Sequence, residues 1–151
     1  MTTPVRDPIT CHVLDTTTGR PAPEISVNLI CTAIPNIVFN SPTNADGRIL
    51  LWNNTQGPRG GMGSFVESHQ GVPATLHWMI GQYAQQTATP GCPAGSSVWK
   101  LQFDTGSYYG AGNTFFPTVE LTFLVKEGEH FHVPLLLGGA RGHKNGIDDA
   151  K

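Results

Sequence analysis

Short runs in which apolar and polar residues alternate, each closed off by turn residues, constrain this chain more than any other feature. In 98–103, Trp99, Leu101 and Phe103 fall on one face of an extended segment and Lys100 and Gln102 on the other, the period-two pattern of a strand with one buried side. Val119–Lys126 alternates in the same way, and 129–137 ends in the apolar run Val133-Pro134-Leu135-Leu136-Leu137. Upstream, Ile9–Asp15 is followed by the turn Thr16-Thr17-Thr18-Gly19, and 25–32 is rich in β-branched residues. A short candidate covers 36–40. Another covers 48–52, after Thr43-Asn44-Ala45-Asp46-Gly47, whose Asp-Gly pair marks a tight hairpin. About seven short strands joined by turns predict a β-sandwich.

At 151 residues the chain is one domain by length and can bury a core without staples. Charged residues are only 13%, the net charge is -2 and no basic patch stands out, so nucleic acid is not an expected partner. Low charge with 18 Gly and 12 Pro fits a compact, loop-rich protein that buries further surface in an oligomer. No apolar run approaches the ~18 residues of a membrane span, and the N-terminus carries no signal-peptide core. Cys11, Cys31 and Cys92 are odd in number and lack metal-like spacing. They read as free thiols in a reducing compartment, and a cytoplasmic location is expected. Residues 1–8, with Pro4 and Pro8, read as a flexible lead, 9–137 as a single domain and 138–151 as a flexible polar tail.

The stretch 53–97 breaks the strand rhythm between the flanks Gly57-Pro58-Arg59-Gly60-Gly61 and Pro90-Gly91-Cys92-Pro93-Ala94-Gly95. Insertions of that length in a small domain are either functional or disordered. Leu76, Met79, Ile80 and Tyr83 recur at helical spacing, which predicts a short amphipathic helix over 74–86 despite Gly81. Such an insertion packs its few apolar residues on the sandwich or serves as a lid or pocket wall.

His130 and His132 are two residues apart, so in a strand both project from one face. Adjacent imidazoles are costly to bury without partners, whereas a site can use groups that titrate near neutral pH. The pair therefore reads as part of a functional site rather than a core.

The segment Thr10-Cys11-His12-Val13-Leu14-Asp15-Thr16-Thr17-Thr18-Gly19-Arg20-Pro21-Ala22 resembles the opening motif of the 5-hydroxyisourate hydrolases, transthyretin-related enzymes of purine catabolism. Thr43-Asn44-Ala45-Asp46-Gly47-Arg48 is similar to that family's second motif. Phe103-Asp104-Thr105-Gly106-Ser107-Tyr108-Tyr109, Phe115-Phe116-Pro117 and His130-Phe131-His132-Val133-Pro134-Leu135-Leu136-Leu137 match the rest in order. The resemblance covers 9–52 and 98–137 and leaves 53–97 as an enlarged insertion. It implies an all-β, transthyretin-like sandwich of two four-stranded sheets with a short helix near 107–112. It also implies a homotetramer with sites at the dimer–dimer interface, a small-molecule substrate and no cofactor. The catalytic set it implies is His12, Arg48 and His132. Transthyretin, a hormone carrier, lacks that set, so its presence implies an enzyme rather than a carrier.

The chemistry stands beside the resemblance. Hydrolysis of a cyclic acyl-urea needs an activated water, a proton donor and charge stabilisation for an oxyanion. His12 and His132 can share the proton work, and Arg48 presents a planar fork of donors to an oxyanion. Alone, Arg48 would read as an exposed arginine after an Asp-Gly turn; the surrounding motif argues otherwise. His130 shares the face of His132 and is expected to orient an imidazole or a substrate oxygen. Three imidazoles can bind zinc, but no carboxylate or cysteine joins them in a ligand pattern, so no metal is expected. Cys11 faces away from His12 and reads as a core thiol. His69, His77 and His143 read as solvent or loop residues.

The family's Tyr-Arg-Gly-Ser tail, which folds into the active-site channel, is replaced here by a glycine-rich segment in which only Arg141-Gly142 echoes it. Arg141 is retained as a candidate substrate contact. That departure and the long insertion leave two alternatives open. One is a recruited paralog using the same residues as a hydrolase, isomerase or cyclase on another small metabolite. The other is a non-catalytic carrier of small ligands.

Overall fold

A computed structural model of the chain describes residues 6–54, 71–84, 93–110, 112–114 and 116–138. Nine strands and two helices follow one another among these residues. They are β1 (Ile9–Asp15), β2 (Arg20–Pro21), β3 (Ser26–Cys31), β4 (Val38–Pro42), β5 (Arg48–Ile49), β6 (Asn53–Asn54), α1 (Val72–Ala84), β7 (Ser96–Phe103), α2 (Thr105–Tyr109), β8 (Val119–Lys126) and β9 (Phe131–Leu137). One sheet is centred on β1, which pairs antiparallel with the short β2 and β5 and parallel with β9 along its whole length. The other runs β6-β4-β3-β7-β8, all antiparallel. It has five strands rather than the four expected, because Asn53 and Asn54 add a two-residue edge to β4. Among the described residues no helix is long and apolar enough to cross a membrane.

The period-two reading holds at the side-chain level. Trp99, Leu101 and Phe103 are fully buried, and they meet Ile9, Cys11 and Val13 of β1 and Val27, Leu29 and Cys31 of β3 in one cluster. Strand faces that alternate this way bury one side each, and the two buried sides make the core. The outward residues of the five-stranded sheet form a hydrogen-bonded row. Asn40 donates to Asn28 Oδ1 (2.8 Å), Asn28 to Gln102 Oε1 (3.3 Å) and Gln102 to Glu120 Oε2 (2.7 Å).

The helix expected over 74–86 is present as α1. Leu76, Met79 and Ile80 are buried in the main core rather than in a satellite, and Tyr83 packs against it, which makes the helix a structural cap on the sandwich. It lies against β7 and β8. The second helix, expected near 107–112, instead begins at Thr105. Asp104 accepts from Ser107 N–H (3.1 Å) and from its hydroxyl (2.8 Å), and this N-cap fixes the start two residues earlier. Tyr108 then donates to Asp15 Oδ2 (2.9 Å), tying the helix to the end of β1.

Of the lead expected over 1–8, residues 6–8 are described. Asp7 and Pro8 are buried; Asp7 N–H donates to Leu50 O (2.7 Å), Asp7 Oδ2 accepts from Trp52 N–H (2.6 Å) and Pro8 O accepts from Phe131 N–H (2.8 Å). Backbone partners on both neighbouring strands hold these two residues, which composition alone did not reveal. Residues 1–5, 55–70, 85–92 and 139–151, including Cys92, His69, Arg141 and His143, lie outside the described residues.

Candidate active site

The outward face of the β1 sheet carries the candidate residues, and register brings them together. In β1 the odd-numbered Ile9, Cys11, Val13 and Asp15 point inward, so Thr10, His12 and Leu14 point out. His12 lies directly across from Arg48 in the β1–β5 pair, where opposing side chains are neighbours on one face. On the other flank, parallel pairing sets Thr10 against His132 and His12 against Pro134. The rings of His12 and His132 lie 6.2 Å apart between centroids, tilted by 33°. Three segments far apart in sequence thus meet on one patch.

The turn before Arg48 is built to hold it. Asn44 Oδ1 accepts from the backbone N–H of Asp46 (2.8 Å) and of Arg48 (3.0 Å), and Gly47 N–H donates to Asn44 O (2.8 Å). Gly47 has φ +73°, and a Cβ there would run into the Val13 carbonyl oxygen, so only glycine fits both the conformation and the contact. Thr43, buried beside the turn, accepts from Ile25 N–H (2.9 Å) and donates to Ala22 O (2.7 Å).

Positive charge dominates the patch. His132 titrates below the ordinary imidazole value because burial disfavours its charged form, and Arg48, His12, His130 and Arg6 then add repulsion. His130 is lowered as well, first by burial and then by Arg6. Among the described residues the one ion pair is Lys100–Glu120 (4.0 Å), on the other sheet, so no described carboxylate forms an ion pair with the Arg48 guanidinium. A face with cationic donors and neutral imidazoles suits an anionic or oxyanion-forming substrate. Leu50 (38% exposed), just after β5, and Leu136 (59% exposed), on β9, stand uncovered beside the patch.

His12, Arg48, His130 and His132 are therefore neighbours, as expected from sequence, while Arg141 falls outside the described residues. Cys11 is buried in the core, its thiol pushed up to about 12 by burial, which leaves it no role as a nucleophile. Two residues near the site escaped the sequence reading. Arg6 acts on both His130 and His132. Thr10, only 1% exposed, places its hydroxyl 2.8 Å from His132 Nδ1 and 3.4 Å from His130 Nε2. Its position two residues before His12 on the same strand face was the available signal.

A two-sheet sandwich with a parallel β1–β9 seam and an imidazole–guanidinium patch on its outer face defines a transthyretin-like protein. The match to the HIUase/Transthyretin family spans residues 9–140, and the chain belongs to that family. It is 31% identical over 137 residues to the 5-hydroxyisourate hydrolase of Mus musculus, covering 86% of each chain. It is 26% identical over 136 residues to the probable 5-hydroxyisourate hydrolase of Schizosaccharomyces pombe, covering 85% of this chain and 82% of that one. The transthyretin of Sparus aurata superposes with a TM-score of 0.52 at 18% identity, over 89% of this chain and 90% of that one, a likeness of fold.

Proposed function

We propose that the chain hydrolyses 5-hydroxyisourate, opening a cyclic acyl-urea C–N bond with an activated water and no cofactor. The observation that carries this reading is the convergence of His12, Arg48 and His132 on one face, with Arg48 directly opposite His12 and the two imidazoles 6.2 Å apart. Relatives named 5-hydroxyisourate hydrolase over most of their length support it.

In this mechanism the neutral His132 takes a proton from water as the oxygen adds to the ring carbonyl. A lowered pKa keeps His132 in its basic form at neutral pH. The carbonyl oxygen becomes an oxyanion facing Arg48, whose N–H donors stabilise it. His12 is placed to pass a proton to the departing ring nitrogen as the C–N bond breaks, and the product leaves as a ring-opened acid. His130 and Arg141 contact substrate or orient the imidazoles. The patch is an open surface edged by Leu50 and Leu136, and a second copy laid across it would exclude water and close the site. This supports a homotetramer with sites between dimers. A cytoplasmic setting fits the free thiols of Cys11 and Cys31.

The test follows absorbance of freshly generated 5-hydroxyisourate with wild type, His132→Ala and Arg48→Ala. Each variant should lose about 3 kcal/mol of transition-state stabilisation, roughly a hundredfold in rate, with an unchanged mass by light scattering. Full turnover by either variant would remove that residue from the mechanism. Decay no faster than buffer with the assembled wild type would reject the substrate.

A further inference from the structure

Beneath the two exposed imidazoles of β9 and its approach lies the hydroxyl of Thr10. It is 2.8 Å from His132 Nδ1, 3.4 Å from His130 Nε2 and 3.5 Å from Phe131 O. With Thr10 only 1% exposed, solvent does not reach this hydroxyl, so its single proton must go to one of these three acceptors. When Thr10 donates to His132 Nδ1, the ring carries its hydrogen on Nε2. When His132 Nδ1–H donates to Thr10, the hydroxyl proton turns toward His130 and His132 Nε2 is bare. Both neutral tautomers of His132 are thus satisfied by rotation of one O–H.

We propose that Thr10 is a positioning residue whose hydroxyl bridges His132 to His130 and carries the positive charge formed on His132 out to His130. The inference rests on His132 being the base of the proposed hydrolysis. The protons balance as follows. His132, holding Nδ1–H against Thr10, takes a proton from water at Nε2 and becomes an imidazolium. Its Nδ1 proton passes to Thr10 Oγ1 while the hydroxyl proton passes to Nε2 of a His130 that carries its own hydrogen on Nδ1. His132 is left neutral with Nε2–H, Thr10 is again a hydroxyl, and His130 is the imidazolium. His130, exposed in the single chain, gives up its Nδ1 proton when the product leaves and solvent re-enters the site. A cation on His132 faces Arg48 from β5, His12 from β1, and Arg6 and His130 from the flanking segments, whereas a cation on His130 faces Arg6. The bridge therefore makes the face a two-histidine unit in which His130 stores a proton without touching the reacting carbonyl.

Thr10→Val keeps the shape of the side chain and removes the hydroxyl, whereas Thr10→Ser keeps the hydroxyl. Three readouts apply: ¹⁵N shifts of the His132 ring, kcat against KM for 5-hydroxyisourate, and a proton inventory in mixed H₂O and D₂O. Expected for Thr10→Val are a changed ratio of His132 tautomers, kcat lower by about tenfold at constant KM, and an inventory that turns from curved to linear. Thr10→Ser should restore all three, and His130→Leu should shift the His132 tautomers without touching Thr10. Unchanged His132 ring shifts in Thr10→Val and His130→Leu would overturn the bridge. The ring shifts need no substrate, so an inactive wild type would reject the hydrolysis and still leave the bridge decided by them.

Discussion

Replacing Gly47 by alanine tests how the backbone delivers Arg48 to the site, and the fold supplies its own control. Gly19 and Gly47 share φ +73°, but a Cβ on Gly19 meets nothing within 4 Å, whereas one on Gly47 runs into Val13 O and comes within 3.1 Å of Ala22 N and of Pro21 Cβ. Each substitution incurs the left-handed strain of an alanine, about 1 kcal/mol. Only Gly47→Ala must also displace the Val13 carbonyl. That carbonyl accepts from Ala22 N–H (3.0 Å), and Val13 N–H donates to Gly47 O (2.7 Å). Losing both bonds costs roughly 1 kcal/mol each. The expectation is a loss of about 3 kcal/mol for Gly47→Ala and about 1 kcal/mol for Gly19→Ala. In thermal unfolding that difference separates the two midpoints by roughly 4–8 °C. Because Arg48 follows Gly47 and pairs with His12, kcat/KM should also fall in Gly47→Ala and hold in Gly19→Ala. Equal losses of stability for the two variants would refute the steric argument, and an active, destabilised Gly47→Ala would refute the link from turn to site.

Further tests come from groups with displaced titration. His132 titrates below 6.5 through burial and its cationic neighbours, so kcat/KM should rise with pH on a limb centred below that value. Arg6→Ser removes one of those cations and should move the limb upward, and a stationary limb would separate Arg6 from the site. Asp7 is raised by burial, its Oδ1 has no hydrogen-bond partner among the described residues and its Oδ2 accepts from Trp52 N–H. A raised folded pKa means stability that is present below about 3.8 and is lost as pH rises through the folded value. The difference in unfolding free energy between wild type and Asp7→Asn should therefore fall from pH 4 toward pH 8, and a flat difference would contradict the burial of a charged carboxylate.

What the sequence determined by itself is local. Strand faces repeat every two residues, so Trp99, Leu101 and Phe103 could be assigned inward, and His130 and His132 to a common face, from alternation alone. The turn before Arg48 and the helical spacing of Leu76, Met79 and Ile80 were legible for the same reason: neighbours in the chain dictate them. The turn does not close the tight hairpin its Asp-Gly pair marks, because β4 pairs with β3 and β6 while β5 crosses to pair with β1 in the other sheet. Resemblance to the family's motifs added His12 and Arg48 to the site. Tertiary structure decided what depends on partners distant in the chain. Asp7 and Pro8 look like a loose lead until the backbones of Trp52 and Phe131 are seen to hold them. Asp104 moved α2 toward the N-terminus through a cap whose strength rests on geometry. Thr10 reads as an ordinary strand threonine until the parallel pairing of β1 with β9 sets it against His132, 122 residues away. Alternation fixes the face on which a side chain emerges, but only the packing of both sheets around a common core fixes which strand lies beside it and in what register.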